Sequence, residues 1–464
     1  MLSLSLEKPP AGPSSNLIVC CLRHEIYYSS NSSIIGGDSN SNSYSRNSSI
    51  IGGDVNSVFY YSYFSSIIGG RDNAISCDSC FSSLIGGCTN NVSLSRYSSI
   101  LGGYNNTVGT QSCYSSVIGG GTNKIYYSGA SSILGGYQSE ISNRSRGSSI
   151  IGGSENKICE YSSDSSVIGG RCNNINFNYG ISSIVGGCCN RISCYSRYST
   201  IVGGRSNIVN NCSCNSTIVG GDNNHICFSC ESSVMGGHNN RICGFIYGCS
   251  ITSNHSSIIG GMTNSVIISQ NSTIIGGGNN LFFEADGATI IGSKCSAIRR
   301  SDYSSVFGGY KNTIWDYSCN SSIIGGQCNK TCYNAYQSSI IGGRKNTINY
   351  SKNSSIIGGQ CNLVDLYSQF SSIIGGCSNN ITAISCNSSI VGGHNNNINT
   401  NSYNSAIIGG NGLTLNNKSN TVLVPNLWIA GSVSSNCGVS FGITGTFSSP
   451  TQIVVVNGII ISVS

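Results

Sequence analysis

The sequence predicts an all-β chain: a parallel β-solenoid, or β-roll, of about 23 coils of 16–17 residues. Three observations carry this. The hexapeptide Ser-Ser-Ile-Ile-Gly-Gly, or a near copy, recurs 23 times from Ser32–Gly37 to Ser405–Gly410, at a mean step of about 17 residues. A short period repeated this often marks a solenoid, and the step is too short for helix-pair repeats of roughly 33–47 residues. Ile, Val, Ser, Thr, Tyr, Asn and Gly dominate the unit while Ala, Leu, Glu and Lys are scarce, which favours strands over helices. No proline lies between Pro13 and Pro425, as a hydrogen-bonded stack of strands requires.

Each part of the unit has a physical reading. Ser-Ser-Ile-Ile is one short strand. Gly-Gly supplies a sharp corner free of Cβ strain. The third residue after the pair is Asn in 20 of 23 units, from Asn40, Asn56, Asn73, Asn90, Asn106 and Asn123 to Asn396; the exceptions are Ser139, Ser296 and Leu413. Asn tolerates positive φ and bonds to nearby backbone, so stacked copies predict an asparagine ladder. Two residues later an apolar residue such as Val58, Ile75 or Val92 opens a second short strand.

The isoleucine pairs Ile34-Ile35, Ile50-Ile51, Ile67-Ile68, Ile323-Ile324 and Ile340-Ile341 exemplify a further signal. Neighbours on a strand point to opposite faces. One member of each pair is therefore expected in the coil core and the other on the outer face. A strand apolar on both sides reads as covered on both. The cover is most simply a partner subunit; the alternative is an exposed apolar wall, an aggregation hazard along 23 coils.

Three regions follow. Residues 1–31 are irregular, with a strand-like Asn16–Cys21 suited to assembly or attachment. Residues 32–412 are the solenoid. Residues 413–464 lose the period and end in strand-like runs Gln452–Val456 and Ile459–Val463 around an Asn457-Gly458 turn, which predicts a β-rich capping, tip or assembly domain. The rhythm breaks twice. The step from Gly236 to Gly260 is 24 residues, centred on Gly244–Cys249, and the unit Ala288–Ser293 loses its second glycine between Glu284/Asp286 and Arg299/Arg300.

Charged residues make up 9% of the chain, against about 25% in ordinary soluble proteins. The net charge of +6 is spread thinly, without a basic patch interleaved with aromatics, so nucleic-acid binding is not expected. No apolar run reaches the length of a membrane span, and Met1–Pro10 lacks the apolar core of a secretory signal. The 25 cysteines recur at a few repeat phases. Same-phase neighbours Cys172/Cys189 and Cys227/Cys243 would sit about 4.8 Å apart, within disulfide range; the alternative is a small buried hydrophobe. Cys77/Cys80 and Cys227/Cys230 form two Cys-x-x-Cys motifs, but nine coils separate them, so one zinc ion cannot bridge both. The five histidines occupy unrelated phases. No metal, cofactor or catalytic residue is expected, and the chain is not read as an enzyme.

Ser-Ser-Ile-Ile-Gly-Gly resembles a widened form of the Ser-Val-Ala-Ile-Gly repeat of YadA-type adhesin heads. The Gly-Gly-x-x-Asn pattern and the end Val454–Val463 resemble phage and large-DNA-virus fibre proteins. The resemblance implies a left-handed parallel β-roll and supplies a homotrimer; burial alone says only that the chain is not a monomer. The bacterial units are shorter and cysteine-poor, and their chains carry a signal peptide and membrane anchor. These departures favour a structural fibre or filament protein on a virion surface or in an extracellular filament. Two other readings are an adhesin or receptor-binding head, with recognition in the 244–250 insertion or the C-terminal region, and an ice-binding solenoid, which would need a flat threonine array. Further partners would be a capsid, a host surface, or another copy joined end to end through Asn16–Cys21 and the C-terminal domain.

Overall fold

The computed structural model describes residues 15–19, 23–247, 250–251, 253–425, 445–449, 451–456 and 459–463. The chain is a parallel β-solenoid of about 23 coils, with no helix among these residues. Each coil contributes two strands, most of them three residues long. Strands of the Ser-Ile-Ile type, such as Ser49–Ile51 and Ser66–Ile68, stack into a sheet of 25. Those after the asparagines, such as Ser57–Phe59 and Ala74–Ser76, form a second sheet of 24. Every pairing in both sheets is parallel and in register, as in Ile34↔Ile50↔Ile67 and Val58↔Ile75. A third line of single-residue bridges runs from Asp38↔Asp54 to His394↔Asn411. The period of the sequence is thus the period of the hydrogen-bond ladder.

The core is a narrow column. Ile34, Ile50, Ile67, Ile323 and Ile340 of the first sheet are wholly buried, as are Val58, Ile75, Val92 and Val108 of the second. Asparagine forms the first polar line: Asn40, Asn56, Asn73, Asn90, Asn106 and Asn123 are all buried. Their ladder runs side chain to backbone rather than amide to amide. Asn106 Oδ1 accepts from the Asn123 N–H at 3.0 Å, and Asn106 Nδ2 donates to the Gly119 and Gly120 carbonyls at 3.3 and 3.2 Å. Each rung so ties its coil to the next. Two serine lines do the same: the Ser65 hydroxyl accepts from Ser82 N–H at 3.2 Å and donates to the Ser79 carbonyl at 2.7 Å, and Ser45 Oγ accepts from Ser62 N–H at 3.1 Å.

Both glycines of a pair are left-handed; Gly69 has φ 66° and Gly70 φ 83°. They differ in surroundings. A Cβ on Gly69 would meet open space, whereas one on Gly70 would overlap Asn73 Nδ2 and the Gly87 carbonyl. The second glycine is therefore fixed by the asparagine amide lying against it as well as by its φ.

Two expected boundaries move. Leu17–Val19 pairs with Ser33–Ile35, and Glu25–Tyr27 pairs with Ser41–Ser43, so the ladders begin before residue 32. The strand-like segment read as suited to assembly or attachment supplies, at Leu17–Val19, the first rung. Asn16 and His24 substitute for repeat residues there: Asn16 Oδ1 accepts from Ser32 N–H, and His24 Nδ1 accepts from Asn40 N–H at 3.2 Å. His24 therefore heads the asparagine ladder rather than lying at an unrelated phase. At the other end Val422–Leu423 pairs with Ala406–Ile407, so the first ladder passes residue 412. Beyond it, Gly445–Ser449, Thr451–Val456 and Ile459–Val463 form an antiparallel sheet. The Asn457-Gly458 turn and residues 20–21 of the Asn16–Cys21 segment lie outside the described residues.

Candidate functional site

The first feature is a surface. The second member of each isoleucine pair points out of the coil. Ile35, Ile51, Ile68, Ile324 and Ile341 are 39–44% exposed although their neighbours Ile34, Ile50, Ile67, Ile323 and Ile340 are fully buried. In-register pairing lines them up, Ile35↔Ile51↔Ile68, and the line continues through Ile118, Ile168, Val219 and Ile374 to Ile408. The result is an apolar stripe one residue wide along the rod, flanked by half-buried serines such as Ser49 and Ser66. Among the described residues, the chain covers one face of this sheet only.

A second surface feature escaped the sequence reading. Phe64, Phe81, Tyr97 and Tyr114 stack ring on ring, with centroids 4.9–5.0 Å apart. Each precedes a Ser-Ser dipeptide and holds a left-handed φ of 55–61°. The aromatic-Ser-Ser phase was there to be seen in the sequence; the left-handed corner was not. Tyr161, Tyr179 and Tyr195 make a similar stack.

The third feature is the cysteine-rich stretch that ends at the insertion. The ladders cross the insertion intact: Ser233–Met235 pairs with Ser257–Ile259, and Arg241–Cys243 with Ser265–Ile267. Part of the extra chain forms an antiparallel hairpin, Ile246–Tyr247 against Ser250–Ile251. Just before it, Cys227 and Cys243 are register partners with Cα atoms 4.6 Å apart and joined by a disulfide. His225 sits beside them, its Nε2 2.9 Å from Asn210 Oδ1. Burial, with help from nearby Arg241, pushes His225 down to about 4. Arg241 Nε donates to Cys243 Sγ at 3.0 Å.

The other candidate pair, Cys172 and Cys189, is not bonded. Both sit at left-handed corners, φ 55° and 59°, and their sulfurs have other partners: Cys172 Sγ donates to Glu155 at 2.8 Å, and Cys189 Sγ is 3.2 Å from Cys188 Sγ. Of the two Cys-x-x-Cys motifs, Cys77, Cys80 and Cys230 are free and Cys227 is oxidised. Cys214 is set apart. The neighbouring Cys230 side chain draws it down to about 6, and the same pairing pushes Cys230 up.

Charged side chains form cross-coil surface contacts. Arg205 grips Asp222 through two bonds of 3.0 and 2.9 Å, and Arg300 meets Glu284 at 2.8 Å while Arg299 lies over the Phe283 ring. Exposed pairs of this kind, screened by water, contribute little to stability. No protein-family model matches the chain, and no curated protein does.

Proposed function

We propose that the chain is a structural fibre or filament protein, a rigid β-solenoid rod whose copies associate side by side as a homotrimer. The outward isoleucine stripe carries this reading. It repeats once per coil, in register with the backbone ladder. A partner that covers it along its length must have the same period, and a second copy of the same chain has that period by construction. Exposed apolar stripes of this extent mark interaction sites. The number three comes from the resemblance to YadA-type heads and viral fibre proteins, as does a place on a virion surface or in an extracellular filament.

The solenoid ends support a longer assembly. Leu17–Val19 pairs with Ser33–Ile35, and Val422–Leu423 with Ala406–Ile407; among the described residues no strand pairs with the outer edge of either, and such an edge is a template for another strand. End-to-end joining through the terminal regions would extend the rod. Attachment of one end to a capsid, with the other end or the 246–251 hairpin contacting a host surface, is the adhesin alternative, and the hairpin's departure from the ladder favours keeping it.

Electron microscopy of the purified protein tests the proposal. At roughly 4.8 Å per coil the expected image is a rod about 110 Å long, single or joined into multiples of that length. Compact particles would overturn it.

A further inference from the structure

The cysteine–histidine cluster beside the insertion has more parts than a cross-link needs. Cys227 and Cys243 alone join the two coils. His225 lies two residues before Cys227 on the same strand, so both side chains leave the same face. One ring nitrogen of His225 and the two sulfurs all lie within 4.8 Å of one another, the only such group of three among the described residues. A tetrahedral zinc site has Zn–S near 2.3 Å and Zn–N near 2.0–2.1 Å, which sets its ligand atoms roughly 3.5–3.8 Å apart. Small side-chain movements close that gap once the sulfurs part.

The surroundings suit a metal. An amide oxygen only accepts, so Asn210 Oδ1 accepts from His225 Nε2–H, which leaves Nδ1 with its lone pair. Histidine ligands are usually tethered through the other ring nitrogen in this manner. The Arg241 guanidinium donates to Cys243 Sγ, a contact that favours thiolate, the form that binds metal.

We propose that the reduced His225–Cys227–Cys243 set binds Zn²⁺, with water as the fourth ligand, so that metal and disulfide are alternative cross-links between the same two coils. The interconversion balances with a small-molecule thiol as reductant. Two thiols give two electrons and two protons to the disulfide, leaving two cysteine thiols and one oxidised reductant disulfide. Zn²⁺ then displaces the two thiol protons and takes the imidazole lone pair. Oxidation reverses the sequence and expels the ion.

The test uses the full-length protein, oxidised or reduced with a phosphine that is then removed without air. Each form is loaded with Zn²⁺ or Co²⁺, desalted and assayed for bound metal. The difference between forms is read, since the other described cysteines are free thiols in the structure. Reduced protein should hold one equivalent more than oxidised protein, and its Co²⁺ form should show the intense visible bands of tetrahedral cobalt thiolate. Cys227→Ser, Cys243→Ser and His225→Ala should each lose that equivalent, whereas Cys230→Ser should keep it. Equal binding by oxidised and reduced wild type would overturn the proposal without relying on any variant. Retention of the extra equivalent by His225→Ala would overturn it as well.

Discussion

Two internal coils break the asparagine ladder, which ends at Leu413, and they break it differently. At residue 139 a serine replaces the asparagine while the glycine pair stays. Ser139 N–H still donates to Asn123 Oδ1 at 3.0 Å, but the Ser139 hydroxyl is buried without a partner, so the rung stops there. At residue 296 a serine again replaces the asparagine, but the second glycine has become Ser293. Ser296 Oγ accepts from Asn312 N–H at 3.1 Å, and the two serine hydroxyls bond each other. Two serines restore a continuous line where one does not. The difference teaches that the second glycine and the asparagine are one unit. Elsewhere the amide fills the space a Cβ would need, as at Gly70 against Asn73. Loss of the amide alone does not make room, since a Cβ on Gly136 beside Ser139 would still lie 2.9 Å from the Gly153 carbonyl; at Ser293 the backbone is also no longer left-handed, and there a side chain fits.

The largest expected effect comes from breaking an intact rung. Asn106→Ala removes the acceptor for Asn123 N–H and the donor to Gly119 and Gly120. The Asn123 N–H is left buried and unpaired, at a cost of about 1–3 kcal/mol, while the Gly120 carbonyl keeps its bond from Tyr104 N–H, so a loss of about 2–3 kcal/mol is expected in urea denaturation. A loss below 1 kcal/mol would mean that the ladder is not a main support of the stack.

Ser139→Asn sharpens the contrast in the opposite direction. It restores the missing rung and should stabilise the protein by about 1–2 kcal/mol, with slower hydrogen exchange in the coil that follows. Ser296→Asn, although the same substitution, should destabilise by about 1 kcal/mol, because the new amide meets the Ser293 side chain. Adding Ser293→Gly should reverse that loss. If the two Ser296→Asn backgrounds behave alike in a double-mutant cycle, glycine and asparagine are not coupled.

The smallest effect extends the contrast between partnered and unpartnered groups to thiols. Cys214, drawn down to about 6 by the neighbouring Cys230 side chain, is expected to be a thiolate above that pH. Its alkylation rate should rise through about pH 6 and level off above it. Burial holds Cys159 and Cys332 near 11, so their alkylation should still be rising at pH 9. Peptide mass spectrometry after timed labelling reads both profiles; matching profiles would contradict the assignment.

The fold was legible because its cause is periodic. The repeat fixed the coil, the isoleucine pair told inside from outside, and Asn40 to Asn396 announced the polar line. The serine lines were equally visible as Ser-x-x-Ser-Ser, as in Ser62–Ser66 and Ser79–Ser83, yet serine on a strand reads first as a solvated surface residue. The end coils were hidden because Asn16 and His24 do the repeat's work with different residues. The cysteine pairs show where spacing stops being informative. Cys172/Cys189 and Cys227/Cys243 share the one-coil step, but the first pair sits at left-handed corners and the second on paired strands, and phase alone does not give side-chain direction.

The central claim is that copies of this chain cover the outward isoleucine stripe. Sedimentation equilibrium of the full-length protein tests it most directly, run beside a variant with Ile51, Ile68 and Ile341 changed to Asp. A wild-type mass of three times the 48.4 kDa chain, persisting at micromolar concentration, and a variant that dissociates are expected. A wild-type protein that stays soluble as a 48.4 kDa monomer at tens of micromolar would contradict it.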